Sequence, residues 1–314
     1  MPADPARVKV VAHRGASARW PEHTRAAMLQ AIEDGADGIE CDVRLTADDR
    51  LVCWHDATVD RTSDGRGSVR TRTLDQIRAL DVVSWHGGPR IPAGLGGPRD
   101  QVLALEDLLD LVAGAGRPVD LAIELKHPAQ YRFAAEDAVL AVLAARGWDP
   151  ASGTLGAGRI SLMSFHPGAV RHLRRTVGAP AVMCLLETPS AAVAHGGGGP
   201  STSAVKAAYV RRVTKQSADL VTSGEVGGVG PGVDYVLTFP DRVRGWVAAG
   251  RLVRVWTVDT AEDLAGVLAV GAHEVTTNAP ARVLAMLEGA TPPESPTAGP
   301  GAEDPTSEDP TTSG

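Results

Sequence analysis

The chain has 314 residues, of which 43% are hydrophobic and 22% are charged, as is ordinary for a globular protein with a packed core. Its formal net charge of -7 provides no basic surface, which argues against nucleic acids and anionic membranes as partners. The sequence has no apolar run of about 18 residues and no signal-peptide pattern at its N-terminus, so we expect a cytoplasmic protein without stable membrane insertion.

Nine short apolar stretches, rich in β-branched residues, are typical of strands. In chain order they are VKVVAHR (8–14), GIECDVRL (38–45), LVCWHD (51–56), VDLAIELK (119–126), RISLMSF (159–165), AVMCLLE (181–187), VDYVL (233–237), LVRVWTVD (252–259) and EVTTN (274–278). Stretches with helical spacing lie between most of them, at 24–36, 103–116, 132–147, 166–178, 239–250, 261–271 and 280–289. This alternation predicts parallel strands joined by helical crossovers.

About eight such units favour an α/β fold of the (β/α)₈ TIM-barrel type over residues 1–290, with a doubly wound open sheet as the structural alternative. Residues 56–105 are polar and rich in Gly and Pro, and we interpret them as a small insertion on the barrel rim after the second strand region. A flexible loop is predicted at 194–203. The acidic, Pro-rich segment 291–314 has no large apolar residue and is predicted to be a disordered tail.

Carboxylates recur with a period of two in the second strand, where Glu40 and Asp42 share one face. Glu124 and Lys126 share a face of the strand VDLAIELK. Three carboxylates facing only one or two cations predict a site for a divalent metal, and an all-oxygen set suits Mg²⁺ or Ca²⁺ better than zinc. The structural alternative is a layer of buried charges paired with Arg44 or Lys126.

Polar residues also end other predicted strands, at His13, Arg14 and His55. Because barrel active sites form at the C-terminal ends of strands, these residues are candidates for catalysis. Arg14 next to a strand-end histidine indicates a phosphate contact, and Lys126 could hold the same anion. Trp256 is a candidate wall for an apolar or glycerol-like group, although it could equally be core.

Four segments together resemble the glycerophosphodiester phosphodiesterase family. They are AHRGASARWPEHT (12–24), GADGIECDVRLTADDRLVCWHDATVDRTSDGRGSV (35–69), AIELK (122–126) and VWTVD (255–259), and the resemblance extends over about residues 8–285. It implies a TIM barrel with an insertion that hydrolyses small glycerophosphodiesters to glycerol 3-phosphate and an alcohol with a divalent cation.

The resemblance also implies roles for individual residues. It makes His13 and His55 the general acid/base pair, Glu40, Asp42 and Glu124 the metal ligands, Arg14 and Lys126 the phosphate contacts, and Glu22 a further site residue. The chain departs from the family at His23 and Asp259, where Asn is usual, and we expect both positions to lie at the rim and to affect substrate preference.

Two other functions are compatible with the same residues. The first is a lysophospholipase D-like phosphodiesterase, which would need an apolar entry groove. The second is a non-catalytic barrel that binds a phosphate-bearing ligand, since a fold alone does not establish a function. The presence of both histidines and all three carboxylates argues against the second.

Overall fold

The protein is described here by a computed structural model, which covers residues 7–88, 90–126, 132–194 and 200–290. The predicted tail 291–314 and half of the predicted loop 194–203 lie outside these residues.

Eight parallel strands form a closed barrel, which confirms the predicted fold. They are β1 (Lys9–His13), β2 (Gly38–Leu45), β4 (Asp120–Leu125), β6 (Gly158–Ser164), β7 (Val182–Leu186), β8 (Gly228–Pro231), β9 (Leu252–Val255) and β10 (Glu274–Thr277). β1 pairs with both β2 and β10, so the sheet has no open edge at this seam, and the open-sheet alternative is wrong. Two further strands, β3 (Leu51–Cys53) and β5 (Thr154–Leu155), pair antiparallel with β2 and β6.

Helices surround the barrel. Those in the described residues are α1 (Arg25–Glu33), α2 (Leu74–Arg78), α3 (Leu105–Ala113), α4 (Ala134–Ala145), α5 (Pro167–Leu173), α6 (Pro189–Ala194), α7 (Pro200–Ser223), α8 (Val233–Thr238), α9 (Pro240–Ala248), α10 (Ala261–Leu268) and α11 (Pro280–Leu287). None of these helices has both the length and the apolar composition needed to cross a bilayer.

The alternation within β2 shows how the barrel separates core from site. Ile39, Cys41 and Val43 are fully buried in the main hydrophobic core. The intervening Glu40 and Asp42 face the barrel interior side by side, as their period of two predicts.

The described residues 54–88 and 90–104 connect β3 to α3, and the insertion on the rim was predicted for residues 56–105. This connection contains the short helix α2, whose first turn is closed by a capping box between Thr73 and Gln76. The segment has a small core of its own around Trp54, Leu74 and Ile77, so it is anchored to the barrel rather than loose.

The stretch VDYVL was predicted to be a strand and is helix α8 instead. The strand of that unit is the unpredicted β8, which contains two glycines. An added Cβ at Gly228 would lie 2.6 Å from Met183 Cγ, and one at Gly230 would lie 2.6 Å from Leu185 Cδ2. Because side chains of β7 fill the space that side chains of β8 would occupy, β8 carries glycines and shows no strand-like alternation.

A second correction concerns the position of His55. The strand before it, β3, returns antiparallel along β2 and is not one of the eight barrel strands. His55 therefore lies in the loop after a hairpin rather than at the end of a parallel strand. The long helix α7 was also not predicted.

Candidate active site

The three predicted carboxylates meet at the C-terminal mouth of the barrel. Glu40 and Asp42 come from β2 and Glu124 from the neighbouring β4, where Asp42 and Glu124 are register partners. One carboxylate oxygen from each residue lies within 4.8 Å of the others, and all three side chains are buried.

Two cations face this cluster. Lys126 Nζ lies 2.9 Å from Asp42 Oδ1 and 2.5 Å from Glu124 Oε1, and Arg14 Nε lies 3.1 Å from Asp42 Oδ2. Burial disfavours ionisation of Asp42, but Lys126 and Arg14 outweigh it and hold the pKa of this carboxyl well below its usual range. Burial and the negative charge of Asp42 raise the pKa of Glu40 well above its usual range. Burial also raises the pKa of Glu124, to about 7, although Lys126 opposes the shift.

Three carboxylates and two cations leave the cluster one negative charge in excess if all are ionised. The buried Asp42 Oδ2 also accepts no well-aligned hydrogen bond within the described residues. An all-oxygen donor set with surplus negative charge suits a hard divalent cation, so the residues present fit Mg²⁺ or Ca²⁺. The alternative was a layer of buried charges paired with Arg44 or Lys126. Lys126 does pair with two of the carboxylates, whereas Arg44 donates to the His55 carbonyl instead.

The turn after β1 aims Arg14 into the cluster. Arg14 adopts a left-handed conformation (φ 58°), and its backbone N–H lies 3.1 Å from Glu40 Oε2. Gly15 follows with φ 84°, and an added Cβ there would lie 2.6 Å from the Ala27 carbonyl carbon. Only glycine fits this position, because both the backbone conformation and the approach of α1 exclude a side chain.

His13 is oriented from the far end of the chain. Its Nδ1 lies 2.7 Å from Asn278 Oδ1, and Asn278 Nδ2 donates to Asp259 Oδ2 at 2.6 Å. A carboxylate only accepts, so Asp259 orients the amide of Asn278 and thereby places the proton of neutral His13 on Nδ1. Nε2, the nitrogen left without a proton, lies 4.0 Å from Glu40 Oε2. Burial and the nearby Arg14 lower the pKa of His13 to about 3.

His55 has a carboxylate partner instead of an amide. Its Nδ1 lies 2.6 Å from Asp56 Oδ1. Burial lowers the pKa of His55, while the bond to Asp56 opposes this shift.

Asp56 also begins a chain of ion pairs that ends at the carboxylate cluster. Arg61 Nε lies 2.8 Å from Asp56 Oδ2, Arg61 Nη1 and Nη2 each lie 2.8 Å from an oxygen of Glu22, and Glu22 Oε1 lies 3.0 Å from Arg14 Nη1. We call Asp56, Arg61, Glu22 and Arg14 the ion-pair chain. Burial opposes ionisation of Glu22, but its two arginine partners lower its pKa to about 2.

A cavity of about 670 Å³ opens above the barrel mouth. The predicted residues that line it are His13, Arg14, Glu40, His55, Glu124, Lys126 and Trp256. Asp42 does not line the cavity, and neither does Glu22, which contacts the cavity-lining Arg14. The opposite wall is largely apolar, with Met163, Phe165, Leu185 and Val233, and it also carries Glu187 and Asp234.

Two residues predicted to lie at the rim are part of the site. His23 Nε2 accepts a hydrogen bond from the backbone N–H of Asp42 at 3.0 Å, and Asp259 supports His13 through Asn278. The rim prediction was wrong because neither residue belongs to the period-two pattern that located the carboxylates. Asn278 was missed although it ends the predicted strand EVTTN, where a polar residue is itself a signal.

The profile of the glycerophosphoryl diester phosphodiesterase family matches residues 13–282. This chain belongs to that family. The probable glycerophosphodiester phosphodiesterase 1 of Mycobacterium tuberculosis is 39% identical over 279 residues, covering 89% of this chain and 92% of the relative. A glycerophosphodiester phosphodiesterase of Caldanaerobacter subterraneus is 53% identical over 87 residues, covering 26% of this chain and 36% of the relative.

Solved structures show the same fold. An Oleispira antarctica phosphodiesterase in complex with the product sn-glycerol-3-phosphate has a TM-score of 0.66 at 20% identity, covering 89% of this chain and 96% of its own. A putative glycerophosphoryl diester phosphodiesterase from Silicibacter pomeroyi has a TM-score of 0.67 at 23% identity, covering 92% and 96%.

Proposed function

We propose that this member of the family hydrolyses glycerophosphodiesters to glycerol 3-phosphate and an alcohol, with Mg²⁺ or Ca²⁺ as cofactor. The observation that carries the proposal is a single cavity lined by two histidines, by two phosphate-binding cations and by carboxylates of the buried cluster. The same combination weakens the alternative of a non-catalytic barrel, since binding alone requires no pair of proton carriers.

Glu40, Asp42 and Glu124 would hold the divalent cation. When bound, the cation offsets the negative charge of the phosphodiester and lowers the pKa of a coordinated hydroxyl. With two positive charges added, the cluster changes from one negative to one positive charge and becomes complementary to a phosphodiester monoanion. Arg14 and Lys126 are placed to contact the remaining phosphate oxygens, and Trp256 forms part of the substrate wall.

The hydrogen-bond partners of the two histidines suggest different roles. His13 is bonded to a neutral amide through Nδ1, which leaves the lone pair of Nε2 free to accept a proton. His55 is bonded to the carboxylate of Asp56, which stabilises its protonated form and suits it to donate one.

The reaction then proceeds in two steps, formation of a cyclic phosphate and its hydrolysis. His13 Nε2 accepts the proton of the glycerol 2-hydroxyl as its oxygen attacks phosphorus, and His55 protonates the leaving alkoxide. In the second step the roles reverse: His55 takes a proton from water, which opens the cyclic phosphate, and His13 returns its proton to the 2-oxygen. Intramolecular attack of this kind gains from a high effective molarity.

The direct test is a panel of glycerophosphodiesters assayed for release of glycerol 3-phosphate, with and without chelator. We expect turnover that chelation abolishes and that Mg²⁺ or Ca²⁺ restores. Glu40→Gln should weaken metal binding in calorimetry, whereas Glu262→Gln, at an exposed position on α10, should not. Full activity of protein shown to be metal-free would contradict the metal part of the proposal, and inactivity on the whole panel would contradict the reaction.

Lysophospholipids belong in the same panel. A second cavity of about 340 Å³ shares Phe165 and Leu185 with the first and extends along α7 past Tyr209, Val210 and Val213. This stretch along α7 is apolar, although Arg44, Lys126 and Glu187 also line the cavity. Faster turnover of lysophospholipids than of deacylated diesters would favour a lysophospholipase D-like function. A cytoplasmic location stays a prediction, which cell fractionation would test.

A further inference from the structure

Helix α7 packs on the barrel along its second half and is exposed along its first. In the second half, Ala218, Leu220 and Val221 are buried in the main hydrophobic core. In the first half, Val205 is 73% exposed and Tyr209 is 56% exposed, although both carry large apolar groups. Residues four apart lie on the same side of a helix, so these two side chains form one exposed apolar patch.

The same part of α7 carries positive charge without a partner. Arg212 follows Tyr209 by three residues and therefore borders the apolar patch, and Arg211 lies beside it. Both arginines are exposed, and no described residue forms an ion pair with either of them. Lys215 differs, since its Nζ lies 2.9 Å from Asp219 Oδ2. We call Val205, Tyr209, Arg211 and Arg212 the α7 face.

Tyr209 connects the α7 face to the mouth of the barrel. It lines the second cavity, which shares Phe165 and Leu185 with the active-site cavity. Two more exposed apolar residues, Leu237 and Phe239, lie at the end of α8, whose first turn lines the active-site cavity. Exposed apolar groups are thus found on both of the helices that border this side of the mouth.

We propose that the α7 face docks reversibly on an anionic lipid surface. A helix with apolar side chains and arginines on one exposed side is typical of segments that lie in the membrane interface, where tyrosine is also favoured. The face is a convex helix surface, which a bilayer can cover without a matching shape. Docking would bring the mouth of the barrel close to the lipid, and it goes beyond the proposed function because it needs none of the catalytic residues.

The net charge of -7 predicted no anionic membrane as a partner, but that number averages over the whole chain. Five of the acidic residues lie in the segment 291–314, whereas α7 has four basic residues and one acidic residue. Attraction to a charged surface depends on the charges within about 10 Å of it, because salt screens those farther away. The local charge of α7 therefore decides, and it is positive.

The test is sedimentation of the full chain with vesicles of phosphatidylcholine alone or mixed with phosphatidylglycerol. We expect binding to the mixed vesicles that added salt weakens. Arg211→Gln combined with Arg212→Gln should lower the partition coefficient about thirtyfold, the equivalent of about 1 kcal/mol for each arginine near an anionic surface. Tyr209→Ser should lower it as well, since it removes apolar area from the interface.

The matched control is Arg171→Gln combined with Arg175→Gln, which removes the same charge from exposed positions on α5 and just after it. This control should bind the mixed vesicles like the wild type, and melting temperatures should show that all variants are folded. Equal losses in the two double variants would overturn the proposal, because the attraction would then depend on net charge alone. Absence of binding to the mixed vesicles at low salt would also overturn it and point to an acidic protein as the partner of the α7 face.

Discussion

The two halves of the barrel mouth contribute different kinds of residue to one cavity. The half from β1 to β4 supplies the histidines, the carboxylates and the two cations proposed to contact phosphate, all within about the first 126 residues. The half from β6 to β9 supplies an apolar wall with two acidic residues. Proton transfer and metal binding need particular atoms at fixed positions, so the first half leaves a recognisable motif. A wall needs only shape, apolar surface and charge, which many sequences can provide.

This division between the halves has one clear exception. Asp259 and Asn278 come from the loops after β9 and β10, yet they belong to the chemistry because they orient His13. Three experiments test the assignment of chemistry to the first half.

The largest effect is expected from the histidines. His13→Ala and His55→Ala should each lower kcat by about 10²-fold or more, because a positioned acid or base contributes at least that much. The kcat of the double variant should fall by far less than the product of the two single-variant factors, since the effects of residues that act together are not additive. Steady-state kinetics on folded protein, verified by melting temperature, is the measurement. If both single variants turn over near the wild-type rate, the chemistry lies elsewhere in the cavity.

A smaller effect is expected from the residue that supports His13. Asp259→Ala removes the acceptor for the Asn278 amide, which can then turn and present its N–H₂ to His13 Nδ1. Asp259 Oδ1 also accepts from the Thr277 hydroxyl and the Asn278 backbone N–H, so kcat should fall at least about tenfold, the size of one buried hydrogen bond, with KM nearly unchanged. Asp259→Asn should restore most of the activity, because its carbonyl oxygen can accept the same bond. Full kcat in Asp259→Ala would show that the late strands contribute only structure.

The smallest effect is a shift in the pH profile. As an acid, His55 must be protonated, so activity should fall as the pH rises above its pKa. Asp56 raises that pKa, and Asp56→Asn should therefore move the alkaline limb of kcat/KM to lower pH, by about one unit. Profiles of wild type and variant on one substrate give the comparison. An alkaline limb that stays in place would argue against His55 as the acid.

The fold and most of the site could be predicted because their signals are local. The period of two in GIECDVRL places Glu40 and Asp42 on one face whatever the surroundings. The strand β8 could not be predicted, because its glycines are required by the side chains of Met183 and Leu185 on the neighbouring strand β7, which leave no room for a Cβ. The support of His13 by Asn278 spans 265 residues and appears only when the barrel closes. The apolar wall from the half β6 to β9 was missed, apart from Trp256, because its residues come from separate strands and meet only in the closed barrel.

The ion-pair chain limits which parts of the sequence can change without moving His13 and His55 relative to each other. It joins the loop after β1 to the loop after β3, and its last member within the rim segment is Arg61. The spacing of the two proton carriers is thus set before most of residues 54–104 begin. Insertions and deletions downstream of Arg61 that spare the small core around Trp54, Leu74 and Ile77 would alter which molecules reach the cavity while the ion-pair chain keeps that spacing.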